Sequence, residues 1–469
     1  MYLRYCCTLA ITLLGVGGCA QQPPSDAAWP PPLPLGDALE THRPPRAPEA
    51  AAQQSQVPPN PAGTLTLRQA LALAVVHNPE LSAFAWEVRA AEARVLQAGV
   101  MPNPELEANF ENFAGDDSFS GTQSLESTIS LAQTFPLGGD ISRRRELAEL
   151  EAQMAGWDYE AARLELLTEV TQRFVELIGA QRHVELAQES LLLAEQVRRT
   201  TKRRIAAGDA PPIDAARASV PAATARVALR KAERQHQAAR RRLALTWSAQ
   251  EATFDHAEGS LERVSLPPSP EQLVALVNRN PQVARWAVEI SARRAQAELA
   301  RAEAVPDVTA RAGFKSDRGE DATGLVAGVS LPLTIFDRRQ GDVRAARLGA
   351  VAAAERRRAT EQRLDAMLSD AYARMAAGYD EAVAIRDTAL PPATEAFDLI
   401  QQAFGKGDMA LIDVIDAERT LVELRSAYLD ALTDYHLALS EIEGLIGRPL
   451  VEVGSTGNST ASTQRPGPP

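Results

Sequence analysis

Two carboxylates three residues apart, Asp413 and Asp416, sit just inside what reads as the start of a helix. At that spacing they share one helix face, and the helix dipole favours negative charge there. Such a pair can serve a functional site, or it can simply cap and solvate a helix start. The residues before it, Gly405-Lys406-Gly407-Asp408, read as a stop and a restart. The glycines suit the left-handed geometry of a C-cap, and Asp408 is placed as an N-cap. The motif occurs twice. Gly208, Asp209, Ile213 and Asp214 repeat Gly407, Asp408, Ile412 and Asp413 without a gap, and Arg217 stands where the counterpart of Asp416 would fall.

Other reactive side chains are sparse. The histidines His42, His77, His183, His236, His256 and His436 are scattered, and none pairs with another at metal-ligand spacing. No nucleophile elbow, phosphate loop or metalloprotease helix is present, so an enzyme is not expected. Of the three cysteines, Cys6 and Cys7 lie in an apolar run behind Arg4, and Cys19 follows the small residues Val16-Gly17-Gly18. That arrangement is a secretory signal over residues 1–18. The four residues Val16-Gly17-Gly18-Cys19 resemble a bacterial lipobox, which implies cleavage before Cys19 and lipid attachment to it. No cofactor is expected beyond that lipid. The mature chain would then hold no disulfide, and its stability must come from packing.

The 469 residues carry a formal net charge of -12. Nothing in that balance calls for a nucleic-acid partner. Residues 19–63 are rich in Pro, Ala and Gln and read as an extended, unpacked tether, and residues 452–469 read as a disordered tail. Between them lies a duplication, with one repeat over 64–250, a linker over 251–268 and a second repeat over 269–451. Asn78-Pro79 matches Asn280-Pro281, Ile129-Ser130-Leu131 matches Val329-Ser330-Leu331, and Gly139-Asp140 matches Gly341-Asp342. Each copy reads as helix, two strands, very long helix, turn and shorter helix. The first copy places them at 67–101, 104–113, 124–136, 140–206 and 212–247, and the second at 270–304, 306–314, 325–335, 342–405 and 411–447.

At a rise of about 1.5 Å per residue the long helices would span roughly 100 Å. A heptad seam runs through Leu421, Leu424, Tyr428, Ala431, Tyr435, Ala438, Ile442 and Leu445. Pro391-Pro392 should kink or break the second long helix. The cationic cluster Arg198, Arg199, Lys202, Arg203 and Arg204 reads as solvated surface. The four strands alternate, with Leu106, Ala108 and Phe110 on one side of the first and Glu105, Glu107 and Asn109 on the other. Length and alternation fit transmembrane strands as well as ordinary hairpins. No later stretch has the roughly 20 apolar residues of a membrane-spanning helix. If the strands span a membrane, four cannot close a barrel, and an open edge cannot face lipid, so several chains must share one. The fold class is thus mainly α with a small transmembrane β part, built from a duplicated helix–β-hairpin–long helix–helix unit.

The lipobox, the Pro-rich tether, the duplicated unit, the two Asn-Pro motifs and the Gly-x-x-x-x-Ile-Asp-Val-Ile-Asp-Ala turn together resemble the TolC family of outer-membrane efflux channels. Pro102-Asn103-Pro104-Glu105-Leu106, Glu111-Asn112-Phe113-Ala114-Gly115 and Ser130-Leu131-Ala132-Gln133-Thr134-Phe135 look like its CzcC subgroup, which serves heavy-metal exporters. The resemblance implies a homotrimer with a 12-stranded β-barrel continued by a long α-helical periplasmic tunnel. It implies a periplasmic adaptor and an inner-membrane RND-type pump as partners, and an outer-membrane location. It places both interhelical turns at the periplasmic end, with Asp413 and Asp416 as gate and selectivity residues and Asp214 as their equivalent in the first repeat. A salt bridge from Arg217 to a neighbouring aspartate would lock that gate. Drugs or other small molecules remain alternative cargo. A periplasmic adaptor is the alternative from another class, though an adaptor carries one helical hairpin and this chain carries two.

Overall fold

The structure is a computed structural model that describes residues 28–39, 43–45 and 61–450. The signal at 1–18, Cys19, much of the tether, His42 and the tail at 452–469 lie outside the described residues. The first copy runs β1 (Gly63–Thr66), α1 (Leu67–His77), α2 (Pro79–Ala98), β2 (Glu105–Glu111), β3 (Glu126–Phe135), α3 (Asp140–Ala207) and α4 (Ile213–Leu245). The second repeats it as β4 (Phe254–Glu258), α5 (Pro270–Val277), α6 (Pro281–Ala302), β5 (Val308–Asp317), β6 (Ala322–Ser330) and α7 (Gln340–Ala384), with a π-helical turn at Ile385–Ala389, α8 (Leu390–Lys406) and α9 (Leu411–Ile446). The described residues divide into a unit built on 90–153 and 292–347 and a unit built on 30–39, 43–45, 61–89, 154–291 and 348–450.

In the first unit β2, β3, β5 and β6 form one antiparallel sheet in that order. Its register aligns Leu106 with Leu131, Ile129 with Phe314, and Phe314 with Leu325. These side chains share one face, and that face is bare. Leu106 is 76 %, Phe314 70 % and Leu325 81 % exposed. A water-soluble hairpin would hide this face. The other face is polar and paired, with Arg311 on Glu107 at 3.0 Å, Lys315 on Glu126, and Thr134 on Thr309 at 2.9 Å. The outer edges of β2 and β6 have no strand partner among the described residues. Strand β6 stops at Ser330 rather than near 335. Pro332 follows two residues later, and proline has no N–H for a ladder.

The second unit is helical around Leu273, Val277, Leu364, Leu368, Met375, Tyr435, Ile442 and Leu445. Close approach of α9 to α3 requires Gly444, because a Cβ there would collide with Thr168. The helices expected at 67–101 and 270–304 are each divided at the Asn-Pro motif. Proline is favoured as the first residue of a helix and bars the residue before it from helical geometry. Asn78 accepts from Leu81 N at 2.9 Å and donates to Thr246 O at 2.9 Å, beyond the end of α4. Asn280 accepts from Gln282 N at 2.9 Å and donates to Leu445 O at 3.0 Å, near the end of α9. Each asparagine therefore caps one helix and pins the last helix of its own copy.

Three further features differ from expectation. Strand β1, at the start of the first copy, pairs in parallel with β4, so the region read as a linker carries one strand of a two-stranded sheet. Pro391-Pro392 does not break the helix, which passes through the π turn with Leu390 N bonded to Ile385 O. The wider turn absorbs the proline ring and its missing donor. It also shifts the buried seam by one residue. Leu368, Met375 and Ala382 are seven apart, but the next, Phe397, comes fifteen after Ala382, one more than two sevens. Lastly, residues 33–36 of the supposedly unpacked tether are clamped. Leu33 N donates to Glu160 Oε1 at 3.0 Å, Arg163 Nη2 donates to Gly36 O at 2.6 Å, and Leu35 N donates to Gly447 O at 2.9 Å. Arg163, fully buried, also holds Glu160 at 2.9 Å. This pairing was not readable from the segment's own composition, because its partners lie far along the chain.

Removing one member of a buried ion pair costs about 3–5 kcal/mol, because the other is left charged and unpartnered. Arg163→Ala is therefore expected to lower the melting temperature of the detergent-solubilised protein. The double change Glu160→Gln with Arg163→Met should recover most of the loss. Equal melting of Arg163→Ala and wild type would show that the clamp contributes nothing.

Candidate functional site

The two interhelical turns are built alike. Helix α3 ends at Ala207, Gly208 takes φ +86°, and Asp209 N reaches back to Arg204 O at 2.8 Å. Helix α8 ends at Lys406, Gly407 takes φ +99°, and Asp408 N reaches back to Ala403 O at 3.0 Å. Both are six-to-one closures around a left-handed residue, which glycine adopts without a Cβ penalty. Gly405 lies within α8 and is not a stop. Nor is Asp408 the N-cap. That position is Ala410, and Asp413 reaches back to accept from Ala410 N at 3.2 Å.

Asp214 and Asp413 lie in the first turns of the two following helices, and Asp416 lies in the second turn of α9. Asp413 is half-buried and Asp416 exposed on α9, and Asp214 is half-buried on α4. Arg217 bonds Asp214 of its own helix at 3.4 Å. Arg419 bonds Asp416 in the same i,i+3 relation at 2.8 Å. Arg419 was missed in the sequence, although its spacing from Asp416 matches that of Arg217 from Asp214. The exposed pairs contribute little to stability in high dielectric; they neutralise part of the charge that the two turns present.

The helix ends meet on a small apolar plug of Val197 from α3, Ala218 from α4, Phe404 from α8, and Leu411 and Val414 from α9. Arg204 closes it. Its Nη1 donates to Phe404 O at 3.1 Å and to Met409 O at 3.4 Å, and its Nη2 donates to Asp209 O at 3.3 Å. The guanidinium lies over the Phe404 ring, 4.8 Å from its centre. Arg204 is thus not the solvated charge its sequence cluster implied, whereas Arg199, Lys202 and Arg203 are exposed. One turn further along α9, Glu418 is 6 % exposed, and burial pushes its carboxyl up to about 7. Nothing local in the sequence marks it, since a glutamate on a long helix is ordinarily solvated. Among the described residues no group of three His, Cys, Asp or Glu side chains could hold a metal ion, and no helix is long and apolar enough to cross a membrane.

The family described as outer membrane efflux protein matches residues 70–248 and 273–448, one stretch for each copy of the unit. The chain is 33 % identical over 391 residues to the cobalt-zinc-cadmium resistance protein CzcC of Cupriavidus metallidurans, covering 83 % of this chain and 92 % of that one. It is 26 % identical over 408 residues to the pyoverdine export outer membrane protein OpmQ of Pseudomonas aeruginosa, covering 80 % and 85 %. The solved structure of the transmembrane channel CusC superposes with a TM-score of 0.69 at 16 % identity, covering 81 % of this chain and 92 % of that one. The mainly helical, duplicated fold expected from the sequence is therefore shared with such channels.

Glu418 has a pH signature. Its folded pKa is raised from 4.5 to about 7, so the stability contributed by its neutral form is complete below pH 4.5 and is lost as pH rises through about 7. Denaturant unfolding at pH 5 and pH 8 should show this loss in the wild type and a flatter profile in Glu418→Gln. Parallel profiles would place the carboxyl in water.

Proposed function

The chain belongs to the outer membrane efflux protein family, and from this we propose that it is the passive exit duct of a tripartite exporter whose cargo is heavy-metal cations. The observation that carries the reading is the four-stranded sheet, bare and apolar on one face, charged and paired on the other, with two free edges. Lipid against the bare face and water against the charged face account for both. The free edges require sister subunits, because unpaired backbone groups are too costly in hydrocarbon. Three copies of a four-stranded sheet supply twelve strands, an even number within the range of such barrels. Lipid on Cys19 would add an anchor in the same membrane.

The energy for export would come from an inner-membrane RND-type pump, joined to the duct by a periplasmic adaptor. In a trimer Asp413 and Asp416 would form rings of carboxylate at the periplasmic entrance, with Asp214 on the adjoining turn. Like charges crowded around a narrow pore attract cations and repel anions. Arg217 and Arg419 would set how much of that charge is displayed, by competing for Asp214 and Asp416. The metal reading rests on the carboxylates and on the likeness to CzcC over most of both chains. The lower likeness to the pyoverdine export protein OpmQ favours a second reading, in which a drug or other small molecule is the cargo.

Two measurements separate these readings. Deletion of the gene should sensitise its host to cobalt, zinc or cadmium, and the wild-type gene should restore resistance. In planar bilayers, purified channels should be cation-selective and blocked by divalent ions, and Asp413→Ala with Asp416→Ala should lose both properties. Unaltered metal tolerance in the deletion strain would refute metal cargo. Unaltered selectivity in the double variant would refute the carboxylate rings.

A further inference from the structure

We infer that His183 of α3 and Asp430 of α9 form a binding site for a divalent cation of the zinc, cobalt and cadmium class, outside the two interhelical turns. It deepens the metal-cargo reading and rests on that reading for the source of the ion. His183 Nε2 stands 3.1 Å from Asp430 Oδ1. Two ligand atoms that each lie about 2.0–2.2 Å from a zinc ion stand roughly 3 Å apart. The pair thus already holds the spacing of one edge of a coordination shell. An ion between them displaces the shared proton, which passes to Nδ1 of a neutral ring or to water from a charged one. Ser426 Oγ stands 3.5 Å from the second carboxylate oxygen, Oδ2, where a hydroxyl can steady a ligating carboxylate.

The two helices are fixed on either side of this pair. One turn before His183, Gly179 lies so close to α9 that a Cβ there would stand 2.9 Å from Thr433 Oγ1. Beyond His183, Glu189 is bridged to Arg425 at 3.2 Å. The spacing of the two ligands is therefore set before an ion arrives. Both line a groove of about 570 Å³ between α3, α4 and α9, and Ser190, Ser426 and Thr433 line it with them. Among the described residues no third His, Cys, Asp or Glu completes the set, so water fills the rest of the shell. The hydroxyls along the groove can hold that water. Imidazole beside carboxylate suits zinc or cobalt, whereas magnesium and calcium take oxygen ligands. Two cations share the groove. Arg242 is engaged with Glu176 at 3.4 Å, and Lys231 opposes the ion and keeps its binding weak and reversible. No spacing in the sequence marks the pair, because its members are 247 residues apart.

The test is zinc equilibrium dialysis on the full-length channel in detergent, purified on a tag without histidine. Wild type should bind zinc saturably, and His183→Ala and Asp430→Asn should each weaken that binding about tenfold or more. Lys231→Met should tighten it, and Asp413→Ala/Asp416→Ala should leave it unchanged. X-ray absorption at the zinc edge should show an imidazole ligand that His183→Ala removes. Melting temperature and trimer content serve as folding controls, and His183→Gln keeps the test available if the alanine variant does not fold. Zinc binding that His183→Ala and Asp430→Asn leave unaltered overturns the site. So does ready displacement of zinc by excess magnesium, which would mark carboxylates alone. Failure of the cargo reading shows differently, as unaltered metal tolerance in the deletion strain while zinc still binds through His183 and Asp430.

Discussion

Backbone hydrogen bonding in a solvent that offers none is the constraint on which the rest of this structure depends. Every N–H and C=O at hydrocarbon depth needs a partner within the protein. A sheet of four strands meets that demand for its inner ladders and leaves it unmet at β2 and β6. The alternation of bare apolar and paired polar faces follows from the same solvent, because each strand divides lipid from water. Assembly of several copies is then a condition for the sheet to exist in a membrane. It is not an addition to a finished fold.

Duplication meets a second constraint, that a long helical wall must be tied off at its ends. The Asn-Pro nodes at 78–79 and 280–281 do this twice with the same chemistry, one side-chain oxygen capping a helix and one amide holding the partner helix. At the other end the copies diverge. The six-to-one turns are alike, yet the arginine that joins them comes from one copy only. The π turn before Pro391, part-way along the helical stretch, belongs to the other copy.

What could be read from the amino acids was what depends on near neighbours. Alternation marked the four strands because residues two apart share a face, and the repeated Gly-Asp turn marked the helix reversals because left-handed closure favours glycine. The strap at residues 33–36, the β1–β4 pairing and the Arg204 contacts were not readable. Their partners lie 127, 192 and 200 positions away, and no local pattern records them. Glu418 was hidden for a related reason, since its burial comes from neighbouring helices. The division at Asn78 was misread although its signal was local, because apolar periodicity on either side of the proline outweighed the proline itself.

The bond from Leu35 to Gly447 joins segments near opposite ends of the polypeptide. The strap's seat is complete only after the last helix has been synthesised and has docked on α3. Contacts of such long sequence separation form late and slowly. A chain with this topology cannot clamp the strap while α9 is still unmade.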